Sequence, residues 1–148
     1  MKILIDADGC PVVDISCELA AQSNTQCVII CDTSHSINKA GAKTVVVSQG
    51  DDSADFALVN MVSKGDIVIT QDYGLAAMCI ARGAVPVNQD GMLYNDGNID
   101  ALLHCRHNAQ KIRRAGGRLK GPSKRTREQD EKFKDSLCNL IKKQQMTK

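Results

Sequence analysis

Aromatic residues are almost missing from this chain: among 148 residues there are two Phe, two Tyr and no Trp. Phe56, Tyr73, Tyr94 and Phe133 are too few to form a row of stacking platforms, which excludes a protein that reads bases mainly by aromatic stacking. A core must instead be filled by Val, Ile, Leu, Ala and Met, within a hydrophobic fraction of 43%. Long apolar runs are missing too. None approaches the roughly 18 residues that a membrane-spanning helix requires, so no membrane association is expected. The N-terminus opens on an apolar segment with neither a basic lead nor a small-residue cleavage site, and the expected location is cytoplasmic. Cys-x-x-Cys is the third absence. The seven cysteines (10, 17, 27, 31, 79, 105 and 138) are odd in number and scattered through apolar stretches. They are expected to be reduced and mostly buried, behaving as small hydrophobes rather than as disulfides or zinc ligands.

What is present is an uneven distribution of charge. The net charge is +2, yet residues 1–103 hold 5 Lys/Arg against 13 Asp/Glu, and residues 104–148 hold 14 against 4. The length fits one domain with a real core. The expected organisation is therefore a single domain over 1–148, with an acidic α/β body (1–103) and a basic helical C-terminal region (104–148). A basic end of this kind either contacts a polyanion or folds back on the acidic body. Both readings remain open at this point.

Apolar patterning alternates between two periods. Short continuous runs at 2–5, about 26–31, 43–47, 66–69 and 84–87 suit strands buried on both faces. Between them, Val12, Ile15, Leu19 and Ala20 recur at helical spacing after Pro11, as do Ala54, Ala57, Leu58, Met61 and Val62. A helix is also expected over about 74–82. Asp90-Gly91 marks a hairpin between 85–87 and 92–94. Asn98 is expected to cap a helix running to about 114. Residues 115–125 read as a basic loop, and Thr126-x-x-Gln129 has capping-box spacing ahead of Phe133, Leu137, Leu140 and Ile141. Strands alternating with helices predict a three-layer, doubly wound, mostly parallel sheet of about five strands, followed by a basic C-terminal helical tail. In such sheets ligands sit beyond the carboxyl ends of the strands, where strand order reverses.

Aspartates occupy those ends. Asp6 closes the first strand and Asp8 follows two residues later. Asp51, Asp52 and Asp55 follow the third strand, and Asp72 follows the fourth. If strands one and four are neighbours, these carboxylates crowd one edge of the sheet, which is costly unless a cation lies between them. Mg²⁺ or Mn²⁺ suits hard oxygen ligands and can activate water for phosphodiester hydrolysis. Simpler roles compete: Asp55 as a first-turn acid, Asp51 or Asp52 as N-caps, and Asp72 as the cap of the next helix. Asp6 and Asp8 are hardest to explain by folding alone, and Asp66 stands at the wrong end of its strand. In the basic region, Arg113, Arg114, Arg118, Lys120, Lys124 and Arg125 are placed to hold a phosphate backbone with little sequence preference. The alternative is a solvated loop. His104 and His107 lack a third zinc ligand at a telling spacing, no sharp elbow surrounds Ser34, His35 and Ser36, and Gly116-Gly117-x-x-x-Gly121 follows no strand.

Ile5-Asp6-Ala7-Asp8-Gly9-Cys10-Pro11-Val12, Asp51-Asp52-Ser53-Ala54-Asp55 and Gly65-Asp66-Ile67-Val68-Ile69-Thr70-Gln71-Asp72-Tyr73-Gly74-Leu75-Ala76 stand in one order along the chain. With Gly116-Gly117 and Gly121-Pro122 they resemble the YaiI/YqxD family of bacterial proteins, which is related to the PIN-like metal-dependent nucleases. The resemblance implies a PIN-like fold and Mg²⁺- or Mn²⁺-dependent cleavage of RNA, with Asp6, Asp55 and Asp72 as metal ligands. Asp8 is an addition typical of the family, and Asp90 is the candidate for the usual fourth acid. The expected function is thus a PIN-like nuclease using Asp6, Asp8, Asp55 and Asp72; the alternative is a non-catalytic nucleic-acid or metal-binding protein. Asp6-x-Asp8 is also how haloacid-dehalogenase-like phosphatases begin. Here, however, Cys10 replaces the usual Thr or Ser, and the 44 positions from Asp6 to Gly50 leave little room for the intervening motifs.

Overall fold

The computed structural model describes residues 1–32, 39, 41–48, 53–105 and 124–147. Five strands, β1 (Lys2–Asp6), β2 (Gln26–Asp32), β3 (Lys43–Val47), β4 (Ile67–Ile69) and β5 (Val85–Val87), form one sheet in the order β3-β2-β1-β4-β5. All neighbouring strands are parallel. The helices are α1 (Val13–Gln22), α2 (Ser53–Met61), α3 (Tyr73–Ala81), α4 (helical over 99–105 among the described residues) and α5 (Arg127–Met146). No described helix is long and apolar enough to cross a membrane.

The continuous apolar runs are explained by burial on both faces. Ile3, Ile5, Ile29, Ile67 and Ile69 point into a cluster with Val13, Leu19, Phe133, Leu137 and Leu140 from α1 and α5. The intervening Leu4, Val28, Ile30 and Val68 point the other way, into a cluster with Leu58, Leu75 and Cys79 from α2 and α3. Period-two alternation thus survives in direction although both sets are apolar. The C-terminal helix is no appendage: Phe133 and Leu137 are fully buried and complete the layer that α1 begins. Its start carries the expected capping box, with Thr126 Oγ1 accepting from the Gln129 amide and the Gln129 side chain accepting from the Thr126 amide.

Asn98 directly precedes the helix after the hairpin, as expected, and is paired with Asn95. Asn95 Oδ1 accepts from the Asn98 amide at 2.9 Å, while Asn98 Oδ1 accepts from the Asn95 amide at 2.9 Å. Two short amide side chains three apart thus form a reciprocal pair ahead of the helix. The part of the expected helix beyond 105, and Asp51 and Asp52, lie outside the described residues. The hairpin at Asp90-Gly91 forms, but its return arm pairs through a single antiparallel bridge, Val87 with Leu93. Asn88 Oδ1 accepts from the amides of Asp90 and Met92 and organises the turn.

That hairpin is fastened to α5. Gly91 has φ +87°, and a Cβ there would stand 2.9 Å from the Lys132 carbonyl oxygen and from Ser136 Cβ. Ser136 Oγ donates to the Gly91 carbonyl at 2.6 Å. Arg125 joins the same seam, bonding Asp90 at 2.9 Å, Asp130 at 2.6 Å and the carbonyl of Gln89.

Candidate functional site

Because β1 pairs with β2 on one side and β4 on the other, the chain reverses its winding direction at β1. The crevice beyond the carboxyl ends of β1 and β4 is the switch point where doubly wound sheets bind ligands. Asp6 ends β1, in register with Ile30 of β2. Asp72 follows β4. Thr70, buried between them, joins the two: its Oγ1 donates to Asp6 Oδ2 at 2.9 Å and accepts from the Asp72 amide at 3.0 Å. Gln71 Nε2 donates to the Gly9 carbonyl at 2.9 Å, tying the loop after β4 to the loop after β1.

The Asp6 carboxyl is pushed from 3.8 up to about 6. Burial is the main cause, and the Asp8 and Asp72 carboxylates add to it while the Thr70 hydrogen bond works against it. Asp8 and Asp72 thus both raise the cost of ionising Asp6. Asp8 Oδ1 is itself buried in the loop after β1. Asp55 stands in the first turn of α2, in the same layer as α3. The Cys79 thiol, raised to about 12 chiefly by burial, lies within the influence of both Asp55 and Asp6.

Asp72 also performs the capping role that its position before α3 allows. Its Oδ1 accepts from the amides of Gly74 at 2.8 Å and Leu75 at 3.2 Å. Among the described residues, no three His, Cys, Asp or Glu side chains are grouped as a ready cation site. The carboxylate oxygens of Asp6, Asp8 and Asp72 are of the kind that hard divalent ions prefer. Asp66, by contrast, is a structural acid. It lies at the far end of the sheet, 2% exposed, and accepts from the Lys2 ammonium (2.6 Å), the Lys2 amide (3.1 Å) and the Ser63 amide (2.9 Å).

The basic residues divide. Arg113, Arg114, Arg118 and Lys120 lie outside the described residues, and Lys124 is exposed. Arg125 is spent on Asp90, Asp130 and Gln89, so the candidate fourth acid, Asp90, is paired within the fold. Residues 104–126 contain eight Lys/Arg and no Asp/Glu, so that stretch of sequence holds most of the basic surplus. The cysteines are free thiols, with 27, 31 and 79 buried and Cys105 exposed. The site residues that patterning overlooks are Thr70, which directly follows the β4 run, and Tyr94, whose hydroxyl donates to the Thr70 carbonyl at 3.2 Å.

Sheet order and strand-end acids together define the class: a doubly wound parallel α/β domain with an acidic crevice at its switch point, consistent with a PIN-like fold. The chain belongs to the family described as "Uncharacterized BCR, YaiI/YqxD family", whose model matches residues 4–143. It is similar to the "UPF0178 protein" of Exiguobacterium sibiricum, at 52% identity over 95% of this chain and 96% of that one. Its similarity to the protein of the same name in Ruminiclostridium cellulolyticum is 49%, over 96% of this chain and 93% of the relative. A relative in Clostridium acetobutylicum is 45% identical over 95% and 97% of the two chains. No solved structure matches.

Proposed function

We propose that this protein is a metal-dependent nuclease of the PIN-like kind that hydrolyses phosphodiester bonds in RNA. The observation supporting this reading is the electrostatic meeting of Asp6, Asp8 and Asp72 at the switch point, with Asp6 held partly protonated near pH 6. Mg²⁺ or Mn²⁺, when bound, would supply charge neutralisation at the scissile phosphate and an activated water. Asp6, Asp8, Asp55 and Asp72 would hold it. Thr70 keeps the Asp6 carboxylate oriented, and the α3 cap fixes Asp72. Binding the ion requires Asp6 to give up its proton, so occupancy increases as pH rises through about 6. The basic segment within 104–126 would contact the phosphate backbone and impose little base preference.

The test is cleavage of single-stranded RNA in Mn²⁺ by the wild type, the wild type in chelator, and Asp8→Asn. Product that disappears in the last two supports the enzyme. Equal cleavage by Asp8→Asn would overturn the assignment of the acids. A second reading, a metal- or nucleic-acid-binding protein without turnover, is favoured by one detail: Asp72 already commits an oxygen to the α3 cap. Saturable Mn²⁺ binding with no product would select it. A chromogenic phosphate monoester in the same buffer tests the haloacid-dehalogenase-like alternative.

A further inference from the structure

We propose that Thr70 and Tyr94 act together as positioning residues for the acidic site, forming a brace that carries the β5 hairpin's placement to Asp6 and Asp72. The inference rests on the metal-binding reading of that site and adds residues to it.

Thr70 stands one residue past β4, where the sheet ladder stops, and every polar group it owns is engaged. Its amide donates to the Val87 carbonyl at 3.1 Å and so extends the β4–β5 ladder by one step. Its carbonyl accepts from the Tyr94 hydroxyl at 3.2 Å. Its hydroxyl donates to Asp6 Oδ2 and accepts from the Asp72 amide. One side chain 1% exposed thus fixes an acid on β1 and the backbone of an acid after β4. Valine has the same shape and greater affinity for such a place, so burying a hydroxyl here is explained by what it holds.

Tyr94 is equally specific. It is 3% exposed in a small cluster with Ala76 and Ile99, and its ring meets Tyr73 edge-on at 5.9 Å. Phenylalanine would fill that cluster without a buried hydroxyl to satisfy. The hydroxyl instead reaches the Thr70 carbonyl, which lies beyond the sheet's own hydrogen bonding. The Tyr94 amide is anchored in turn on the Pro86 carbonyl at 3.0 Å. The path from β5 through Tyr94 and Thr70 to the two acids is therefore continuous, and each link is a single hydrogen bond. Partners of this kind orient metal ligands, and removing one typically weakens metal binding by about 10- to 100-fold.

Mn²⁺ affinity, measured by electron paramagnetic resonance on folded protein without nucleic acid, tests the brace. Thr70→Ser keeps the hydroxyl and is expected to bind within about threefold of wild type, whereas Thr70→Val should bind about tenfold or more weakly. Tyr94→Phe should weaken binding about three- to tenfold in the wild-type background and less than about twofold alongside Thr70→Val, because its effect passes through Thr70. Thermal melts confirm that each variant is folded. Equal losses from Thr70→Ser and Thr70→Val, or a Tyr94→Phe effect that is absent or undiminished beside Thr70→Val, would overturn the inference. Should Thr70→Val not fold, unchanged affinity in Tyr94→Phe overturns it alone. A wild type that binds no Mn²⁺ removes the metal reading and the brace together, whereas a binding wild type with unaltered variants removes only the brace.

Discussion

Asp6→Asn is expected to make the metal-free protein more stable while removing its site. The carboxyl ionises near 6 in the fold against 3.8 ordinarily, so the native state favours the protonated form. Well below 3.8 the group is protonated whether folded or unfolded, and no penalty arises. Between 3.8 and 6 the unfolded chain loses its proton first, and stability falls as pH rises; above 6 the whole penalty is present. At 1.36 kcal/mol per pKa unit this gap is worth about 3 kcal/mol. Asparagine carries no charge and keeps an oxygen for the Thr70 hydroxyl, and its new amide gains the negatively charged neighbours Asp8 and Asp72. Urea unfolding in chelator at pH 8 should show Asp6→Asn more stable by about 2–3 kcal/mol, and at about pH 3 by less than about 0.5 kcal/mol. Millimolar Mn²⁺ should then narrow or invert the difference at pH 8, since only the wild type gains from binding. A variant less stable than wild type at pH 8 in chelator, or a gain that does not depend on pH, would refute this account of Asp6.

Two further outcomes concern the scaffold. Phe133→Ala, at a fully buried position where α5 meets the sheet, should lower unfolding free energy by about 3–5 kcal/mol in chemical denaturation. A loss below about 1 kcal/mol would mean that α5 is not part of the core layer. Asp66→Ala leaves the Lys2 ammonium and the Lys2 and Ser63 amides without their acceptor; a loss of about 3 kcal/mol is expected, with Mn²⁺ affinity unchanged. Altered metal binding in that variant would contradict the separation of the sheet's two ends.

Much of the architecture is legible in the sequence because it follows from local signals. Ile3, Leu4 and Ile5 read as one apolar run because alternate residues enter two different cores. Asp6 and Asp72 could be placed at one crevice as soon as β1 and β4 were neighbours, and the Thr126–Gln129 box marked the start of α5 to the residue. What escaped depends on contacts between distant positions. Thr70 and Asp6 are 64 apart, Tyr94 and Thr70 are 24 apart, and nothing in the spacing of an isolated Thr or Tyr reveals such a partner. Arg125 misleads for the same reason: beside a run of basic residues it reads as a phosphate contact, yet Asp90, 35 positions earlier, engages it. Asn98 was legible as the residue before α4, whereas its reciprocal pairing with Asn95 was not.

Gly91 couples the C-terminal helix to the turn that leads to Tyr94. With no side chain at that point, the turn lies directly against the backbone of Lys132 and Phe133, and the same turn leads within three residues to Tyr94. If the proposed nuclease reading holds, loss of cleavage on trimming or tagging this helix would report mechanical slack beside the acids, with no ligand removed.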